Sequence, residues 1–199
     1  MSIIGTPSTD TLAQRLLPRE RWLANVHVRN AVLVVAGALF VALTAQIRIP
    51  LPFTPVPITG QTLGVLLVGG LLGSRLGGGS LLFYLLLGLI GLPVYTGGSS
   101  GIEIWQGATA GYLASFPIAA ALMGWLAERG WDRSIWKTAL GMVLGNVVIY
   151  TLGAGWLAFG LGMGVATAFT AGVLPFLIGD AIKIVLAAVA LPGGWRLLK

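Results

Sequence analysis

The stretch 30-NAVLVVAGALFVALTAQI-47 decides the fold class, because it carries no charged residue over 18 positions. A helix of about 20 apolar residues crosses the hydrocarbon layer of a bilayer and satisfies its backbone hydrogen bonds without water. The alternation of apolar and polar residues that is typical of a membrane barrel strand is absent from this stretch. It therefore predicts a membrane-spanning helix.

The composition of the whole chain agrees with this prediction. Of the 199 residues, 56% are hydrophobic and 9% are charged, whereas a soluble domain carries about 25% charged residues. There is no cysteine, which excludes a disulfide framework and a thiolate nucleophile. The net charge of +6 resides in the connecting segments, so we predict the lipid bilayer, and not nucleic acid, as the partner.

Five further apolar runs predict helices over residues 61–76, 79–92, 108–126, 138–160 and 166–191. The predicted fold is thus an all-α integral membrane bundle of about six transmembrane helices. It occupies residues 30–199 and follows a polar segment, residues 1–29, that lacks the apolar core of a secretory signal. The second and third runs are short and glycine-rich around residues 77–79, so they form either a tight helical hairpin or a partly re-entrant pair. Five or seven elements are also compatible with the pattern.

The basic residues set the orientation. If the amino terminus is cytoplasmic, ten of the 12 Lys and Arg fall on the cytoplasmic side, as the positive-inside rule expects. Both termini are then predicted to be cytoplasmic. The ten residues are Arg15, Arg19, Arg21, Arg29, Arg75, Arg129, Arg133, Lys137, Arg196 and Lys199. The two exceptions are Arg48, at the outer end of the first helix, and Lys183, inside the last.

Ionisable and polar residues inside the predicted spans are the candidates for function. Asp180 and Lys183 stand three residues apart, hence on one helix face. They form either an ion pair that fixes the bundle or a polar ligand site, and the cost of intramembrane charge favours the ligand site. Asn146 and Tyr150 are four apart; they either line the same cavity or form interhelical hydrogen bonds.

Two outer connections have the character of a binding-site cover. Residues 48–62 hold four prolines, so this segment is stiff and extended, and its apolar residues favour a lid over a pocket rather than a surface connector. Residues 94–107 combine flexible glycines with aromatic residues and predict a mobile mouth. The polar and aromatic candidates in the two segments are Thr59, Gln61, Tyr95 and Trp105, and Thr62 ends the first segment.

Enzymatic function is a weak alternative. The only histidine, His27, lies in the polar segment, and no nucleotide-binding loop, metal-ligand set or catalytic triad occurs. An intramembrane enzyme would have to use Asp180 and Lys183 as acid and base. A structural subunit without a ligand is a further alternative. Ala38 and Ala42 begin a stripe of small residues that either packs within the chain or docks a second membrane protein.

Four short segments carry a resemblance to a known family. They are PVPITGQT at residues 55–62, YLLLGLIGLPVY at 84–95, GYL at 111–113 and GDAIK at 179–183. Together they resemble the BioY family of energy-coupling factor S components, the biotin-binding proteins of these transporters, and the likeness runs from about residue 45 to residue 183.

The resemblance implies a six-helix protein of the prokaryotic plasma membrane that binds biotin from outside with high affinity. It implies no cofactor, no metal and no ATPase activity of its own. The implied partners are a transmembrane coupling protein and a pair of ATP-binding subunits, with Ala38 and Ala42 as a docking surface. An S component or facilitator for another vitamin is the alternative on the same architecture.

The chemistry of biotin suggests roles for the candidate residues. Asp180 would accept from the ureido nitrogens, and Lys183 would hold Asp180 in place. Arg48, or else Lys183, would meet the carboxylate. The remaining candidates are Gln61, Asn146 or Tyr84 for the other ring hydrogen bonds, Tyr95 or Trp105 for the apolar ring face, and Thr59 beside Gln61.

Overall fold

The computed structural model describes residues 11–16 and 25–198, and within these the chain is mostly helical. Arg19, Arg21 and Lys199, which the charge pattern includes, lie outside the described residues. The helices are α1 (Leu12–Leu16), α2 (Val26–Gln46), α3 (Gln61–Leu89), α4 (Ala110–Ala127), α5 (Ile135–Gly155), α6 (Val165–Gly172) and α7 (Leu177–Leu197). A π-helical turn, Trp156–Gly160, extends α5. Short 3₁₀ turns occur at Thr96–Gly98, Ile102–Gln106, Trp131–Arg133 and Leu174–Phe176.

Five helical stretches of the described residues are long and apolar enough to cross a membrane. They are Val26–Gln46, Gln61–Leu89, Ala110–Ala127, Ile135–Gly160 and Val165–Leu197. Large apolar side chains such as Leu43, Val147 and Ile178 are exposed on these helices. In a bilayer such side chains meet lipid tails, so their exposure is favourable.

Helix α2 is the predicted first span, and it begins one turn earlier than expected. Asn25 caps it, because its side-chain Oδ1 accepts a hydrogen bond from the His27 backbone N–H at 2.9 Å. Ala38 has no exposed surface, and Ala42 is partly buried against the core. The small-residue stripe therefore packs within the chain, which lets α2 approach α3 closely.

The second and third predicted runs form one helical stretch, α3, which folds back on itself. Gly73 interrupts the helix with φ +84° and ψ 177°, a conformation essentially confined to glycine. A Cβ on Gly77 would come within 2.9 Å of the Gly69 Cα, so residues 61–72 and 74–89 lie side by side. The predicted pairing of the two runs in a hairpin is present, but the reversal lies at Gly73 and not at residues 77–79.

The reversal at Gly73 is held by a contact from the next helix. The carboxylate of Glu128, at the end of α4, accepts from the Ser74 backbone N–H at 2.8 Å and from the Ser74 hydroxyl at 2.9 Å. These bonds satisfy a free N–H at the start of the second half of α3, as a helix cap does.

The predicted helix over residues 166–191 lies within one apolar stretch, Val165–Leu197, that is long enough to cross a membrane, but this stretch is broken into two helices. The chain leaves the helical conformation at Val173, with φ −128° and ψ −60°, and α7 starts at Leu177 after a 3₁₀ turn. Pro175 explains the break, because it lacks the backbone N–H that a continuing helix would donate to the Ala171 carbonyl. The Thr54 hydroxyl donates to that carbonyl instead. As a result Asp180 lies in the first turn of α7.

The proline-rich connection forms a small hairpin. Strand β1 (Arg48–Ile49) pairs antiparallel with strand β2 (Ile58–Thr59), with Arg48 opposite Thr59. The tip of the hairpin packs back on the bundle: Val56 is buried, and the Thr54 hydroxyl donates to the Ala171 carbonyl at 2.7 Å. The segment thus bridges α2 and α3 and reaches the end of α6.

Candidate ligand-binding site

A cavity lies beneath the β1–β2 hairpin, between α3, α4, α5 and α7. Its apolar wall includes Val56, Ile104, Leu113, Phe116, Ile149 and Phe176. Its polar wall includes Thr59, Gln61, Thr62, Thr96, Asp180 and Lys183. A mainly apolar cavity with a few convergent polar groups is the usual form of a small-molecule site.

Asp180 is the centre of the polar wall, and it is only 3% exposed. Its Oδ1 accepts from Lys183 Nζ at 2.8 Å and from the Thr62 hydroxyl at 3.3 Å. Its Oδ2 accepts from the Tyr150 hydroxyl. The first turn of a helix also favours a carboxylate, because the helix dipole is positive there. The charge is therefore stabilised at this depth.

Lys183 makes two of the three hydrogen bonds that its ammonium can donate. Besides the ion pair with Asp180, its Nζ donates to the Thr62 hydroxyl at 2.8 Å. Lys183, Thr62 and Asp180 therefore form a closed hydrogen-bonded triangle that joins α3 to α7. Of the two alternatives for Asp180 and Lys183, the structure therefore has the ion pair. Both residues also line the cavity, so the pair is accessible to a ligand there.

Gln61 ties the covering segments to α3. Its Nε2 donates to the Tyr84 hydroxyl at 2.7 Å, and its Oε1 accepts from the hydroxyls of Thr96 at 2.8 Å and Thr59 at 3.2 Å. Gln61 begins α3 directly after β2, so its side chain lies where the hairpin, the 94–107 connection and the bundle meet.

A cluster of three aromatic side chains, Tyr84, Tyr95 and Trp105, closes the cavity on the side of the 94–107 connection. The Tyr84 and Tyr95 rings meet edge to face with centroids 5.6 Å apart, and the Tyr95 hydroxyl donates to the Leu85 carbonyl at 2.6 Å. The Trp105 Nε1 donates to the Tyr95 oxygen at 3.2 Å. Burial raises the pKa of the Tyr95 hydroxyl, against a smaller opposing effect of the Trp105 hydrogen bond. Tyr95 thus presents a neutral ring to the cavity.

The structure brings together five of the predicted site residues on the cavity wall, namely Thr59, Gln61, Tyr95, Asp180 and Lys183. Tyr84 and Trp105 lie behind that wall and contact it through Gln61 and Tyr95. Arg48 is exposed, and its guanidinium lies against Gly97, beside the cavity-lining Thr96. Asn146 lines a separate groove on the far side of Tyr150.

Several cavity residues were not selected from the sequence as ligand contacts. The sequence predicts Thr62 only as the end of the proline-rich segment, although its position beside Gln61 is a signal for a shared site. Asn146 and Tyr150 both line the separate groove, and of the two only Tyr150 also lines the cavity. Thr96 and Tyr112 also line the cavity. Tyr112 lies in the GYL segment that carries the resemblance and Thr96 in the 94–107 connection, but neither is predicted as a ligand contact.

The fold and the cavity together define a small helical membrane protein with a covered ligand site. Comparison with known proteins gives its family. The BioY family profile matches residues 17–199. The biotin transporter BioY of Rhizobium etli is 41% identical over 160 residues, which cover 77% of this chain and 85% of that protein. The probable biotin transporter BioY of Pyrococcus horikoshii is 42% identical over 153 residues, or 76% and 89% of the two chains.

A crystal structure supports the same assignment. The S-component for biotin from an ECF-type ABC transporter superposes with a TM-score of 0.78 at 29% identity, over 88% of this chain and 95% of the other. This chain belongs to the BioY family. The family is one of transporter components, so the chain is a multi-pass protein of the cell membrane and not an enzyme.

Proposed function

We propose that this protein is the membrane-embedded biotin-binding component of an energy-coupling factor type uptake transporter. The single observation that carries the proposal is the buried carboxylate of Asp180 on the wall of a covered, mainly apolar cavity. Biotin has an apolar ring system with two ureido N–H donors, and a fixed acceptor in an apolar site is the complementary arrangement. The names of the relatives support the same ligand.

Asp180 has room for a ligand donor. A carboxylate offers about four acceptor positions, and Lys183, Thr62 and Tyr150 use three of them. The free position would accept a ureido N–H. Gln61 would complete the ring's hydrogen bonds, either directly or through Tyr84, while Thr59 holds the Gln61 amide.

The apolar ring face would lie against Tyr95, which Trp105 holds from behind. Asn146 would take part only if the ligand reached beyond Tyr150, because it lies in the separate groove. For the carboxylate we favour Arg48 over Lys183. The ammonium of Lys183 already serves Asp180 and Thr62, whereas the Arg48 guanidinium is exposed beside the connection that covers the cavity.

The proposal includes a topology of six spans with both termini in the cytoplasm. The fold-back of α3 at Gly73 supports six, since its two halves run in opposite directions. The described basic residues that would then face the cytoplasm are Arg15, Arg29, Arg75, Arg129, Arg133, Lys137 and Arg196, and this distribution supports the orientation.

The proposed partners are a transmembrane coupling protein and two ATP-binding subunits, which would supply the energy that this chain cannot. A docking role for Ala38 and Ala42 stays a prediction. Because Ala38 is buried between helices, it would act by setting the distance between α2 and α3, not by touching the partner directly.

A panel of vitamins tests the ligand. A ligand that binds only the folded state raises its melting temperature, by an amount set by concentration and affinity. We expect biotin at micromolar concentration to stabilise the purified protein in detergent, and thiamine, riboflavin and folate to have no effect. Stabilisation by another vitamin and not by biotin would contradict the proposal and favour a different S component.

A further inference from the structure

A second hollow lies behind the ligand cavity and opens sideways between α5, α6 and α7; we call it the lateral groove. Its wall is mainly apolar and includes Val143, Val147, Ala158, Phe169, Val173 and Ile184. Phe159 and Val165 at its margin are strongly exposed. Since these helices belong to apolar stretches long enough to cross a membrane, the groove opens toward lipid and not toward water.

Two residues line both the ligand cavity and the lateral groove, namely Tyr150 and Asp180. The Tyr150 hydroxyl donates to Asp180 Oδ2, and the Tyr150 ring stacks on Phe176 with centroids 6.5 Å apart. The ring is therefore fixed at both its edge and its face. This hydrogen-bonded pair forms the wall between the two spaces.

We propose that Tyr150 is a specificity-determining residue, which limits the size of the ligand at Asp180 by closing the cavity toward the lateral groove. The inference rests on the proposed function, because it takes the ureido ring to be the part of the ligand that meets Asp180. It follows that a substituent on the ureido nitrogen next to Asp180 collides with the Tyr150 ring. A substituent on the carboxylate end, pointing toward Arg48, does not. The substituent on the nitrogen also removes the N–H that donates to Asp180, but this loss is common to the wild type and the Tyr150 variants, so it does not change the comparison between them.

The lateral groove offers space for a larger ligand if the Tyr150 ring is removed from between the two spaces. With a small residue at position 150, an apolar substituent would leave the cavity and enter an apolar groove, where its burial is favourable. Asn146, one helical turn from Tyr150, lines the same groove. It is 6% exposed and its Oδ1 has no hydrogen-bond partner in the described structure. A hydroxyl at the end of the substituent would therefore find an unused acceptor.

The test measures dissociation constants of biotin, of biotin with a propyl or hydroxypropyl group on a ureido nitrogen, and of biotin joined to lysine through its carboxylate. The readout is the dissociation constant of each analogue divided by that of biotin for the same variant. This ratio cancels changes that affect both ligands equally. The variants are Tyr150→Ala, Tyr150→Leu and the matched control Tyr150→Phe, which keeps the ring and removes only the hydroxyl.

We expect Tyr150→Ala to lower the propyl-biotin ratio by about tenfold or more, since burial of a propyl group is favourable to that extent. Tyr150→Phe should keep the wild-type ratio. Tyr150→Leu should fall between them, and it provides the test if the Ala variant does not fold. Hydroxypropyl-biotin should bind Tyr150→Ala more tightly than propyl-biotin does, and this advantage should vanish in Tyr150→Ala/Asn146→Leu.

An unchanged ratio in the folded Ala or Leu variant would overturn the assignment of Tyr150. A gain for the lysine conjugate in place of the ring-substituted analogues would also overturn it, because the ligand would then lie the other way round. Wild-type biotin binding separates this failure from a failure of the proposed function. If the ratio does not change in the variants but the wild-type protein binds biotin, only the assignment of Tyr150 is refuted. If the wild-type protein does not bind biotin, the proposed ligand is refuted.

Discussion

The side chains of Gln61 and Tyr84 meet at 2.7 Å, although 23 residues separate them within one helical stretch. A straight helix would place them about 34 Å apart, at 1.5 Å per residue. The contact exists because α3 reverses at Gly73, which brings its two ends to the same end of the bundle. The fold-back thus puts Gln61 against the aromatic cluster that closes the cavity.

Loss of the Gln61 side chain should destabilise the protein and weaken biotin binding together. In Gln61→Ala the buried Tyr84 hydroxyl and the Thr96 hydroxyl lose their partner, and an unsatisfied buried polar group costs about 1–3 kcal/mol. Melting temperature and biotin titration measure the two effects. Gln46→Ala is the matched control, because Gln46 is exposed and bonds only to carbonyls. Equal effects of the two variants would contradict this account.

The position of the helix reversal is tested by two glycine substitutions. Gly73→Ala should destabilise the protein by about 1–3 kcal/mol, the cost of a strained backbone conformation, and its Cβ would come within 2.7 Å of a Glu128 carboxylate oxygen. Gly79→Ala should be harmless, because the nearest atom to a Cβ there is 3.8 Å away. Melting temperatures compare them. A larger loss in Gly79→Ala would return the reversal to residues 77–79.

The Lys183–Asp180 pair predicts a non-additive stability effect. Lys183→Met removes the 2.8 Å ion pair and leaves a buried carboxylate with two neutral partners. The loss should be about 3–5 kcal/mol, the cost of leaving a buried charge without its counter-charge. Adding Asp180→Asn removes the uncompensated charge, so the double variant should recover part of the stability. The melting temperatures of both single variants and the double variant form the cycle. Strictly additive losses would show that the two residues are not coupled.

Asp132, outside the predicted spans, should make stability depend on pH. Burial raises the pKa of its carboxyl above the ordinary value of 3.8, more than the Trp195 hydrogen bond and Arg133 lower it. The folded state then holds its proton more tightly than the unfolded state. Stability is therefore greatest below the ordinary pKa and falls as the pH rises through the raised one.

The Asp132→Asn variant should lose this part of the pH dependence, which melting curves between about pH 4 and pH 8 would measure. Glu103→Gln is the control for net charge, because Glu103 is exposed in the 94–107 connection. If stability instead rose with pH through Asp132, the hydrogen bond from Trp195 Nε1 at 2.5 Å, not burial, would dominate.

The sequence predicted the helices better than their ends. The uninterrupted apolar run of α2 identifies that helix directly. Glycine is frequent from residue 69 to residue 79, so the sequence does not show which glycine reverses the chain. The contact with Glu128 that favours Gly73 forms only in the folded protein. Pro175 could have revealed the break before α7. Asp180 and Lys183 stood out as charges in an apolar run. Tyr150 did not stand out in the same way, because its role depends on the groove that lies behind it.

Calorimetric titration of biotin into the purified protein in detergent tests the central claim most directly, with Asp180→Asn and Arg48→Ala in parallel. We expect saturable tight binding with one biotin per chain. Asp180→Asn should abolish it or weaken it at least about tenfold, as loss of a charge-assisted hydrogen bond implies, and Arg48→Ala should weaken it as well. Absence of heat from folded wild-type protein would contradict biotin as the ligand, and unchanged affinity in folded Asp180→Asn would contradict the assigned site.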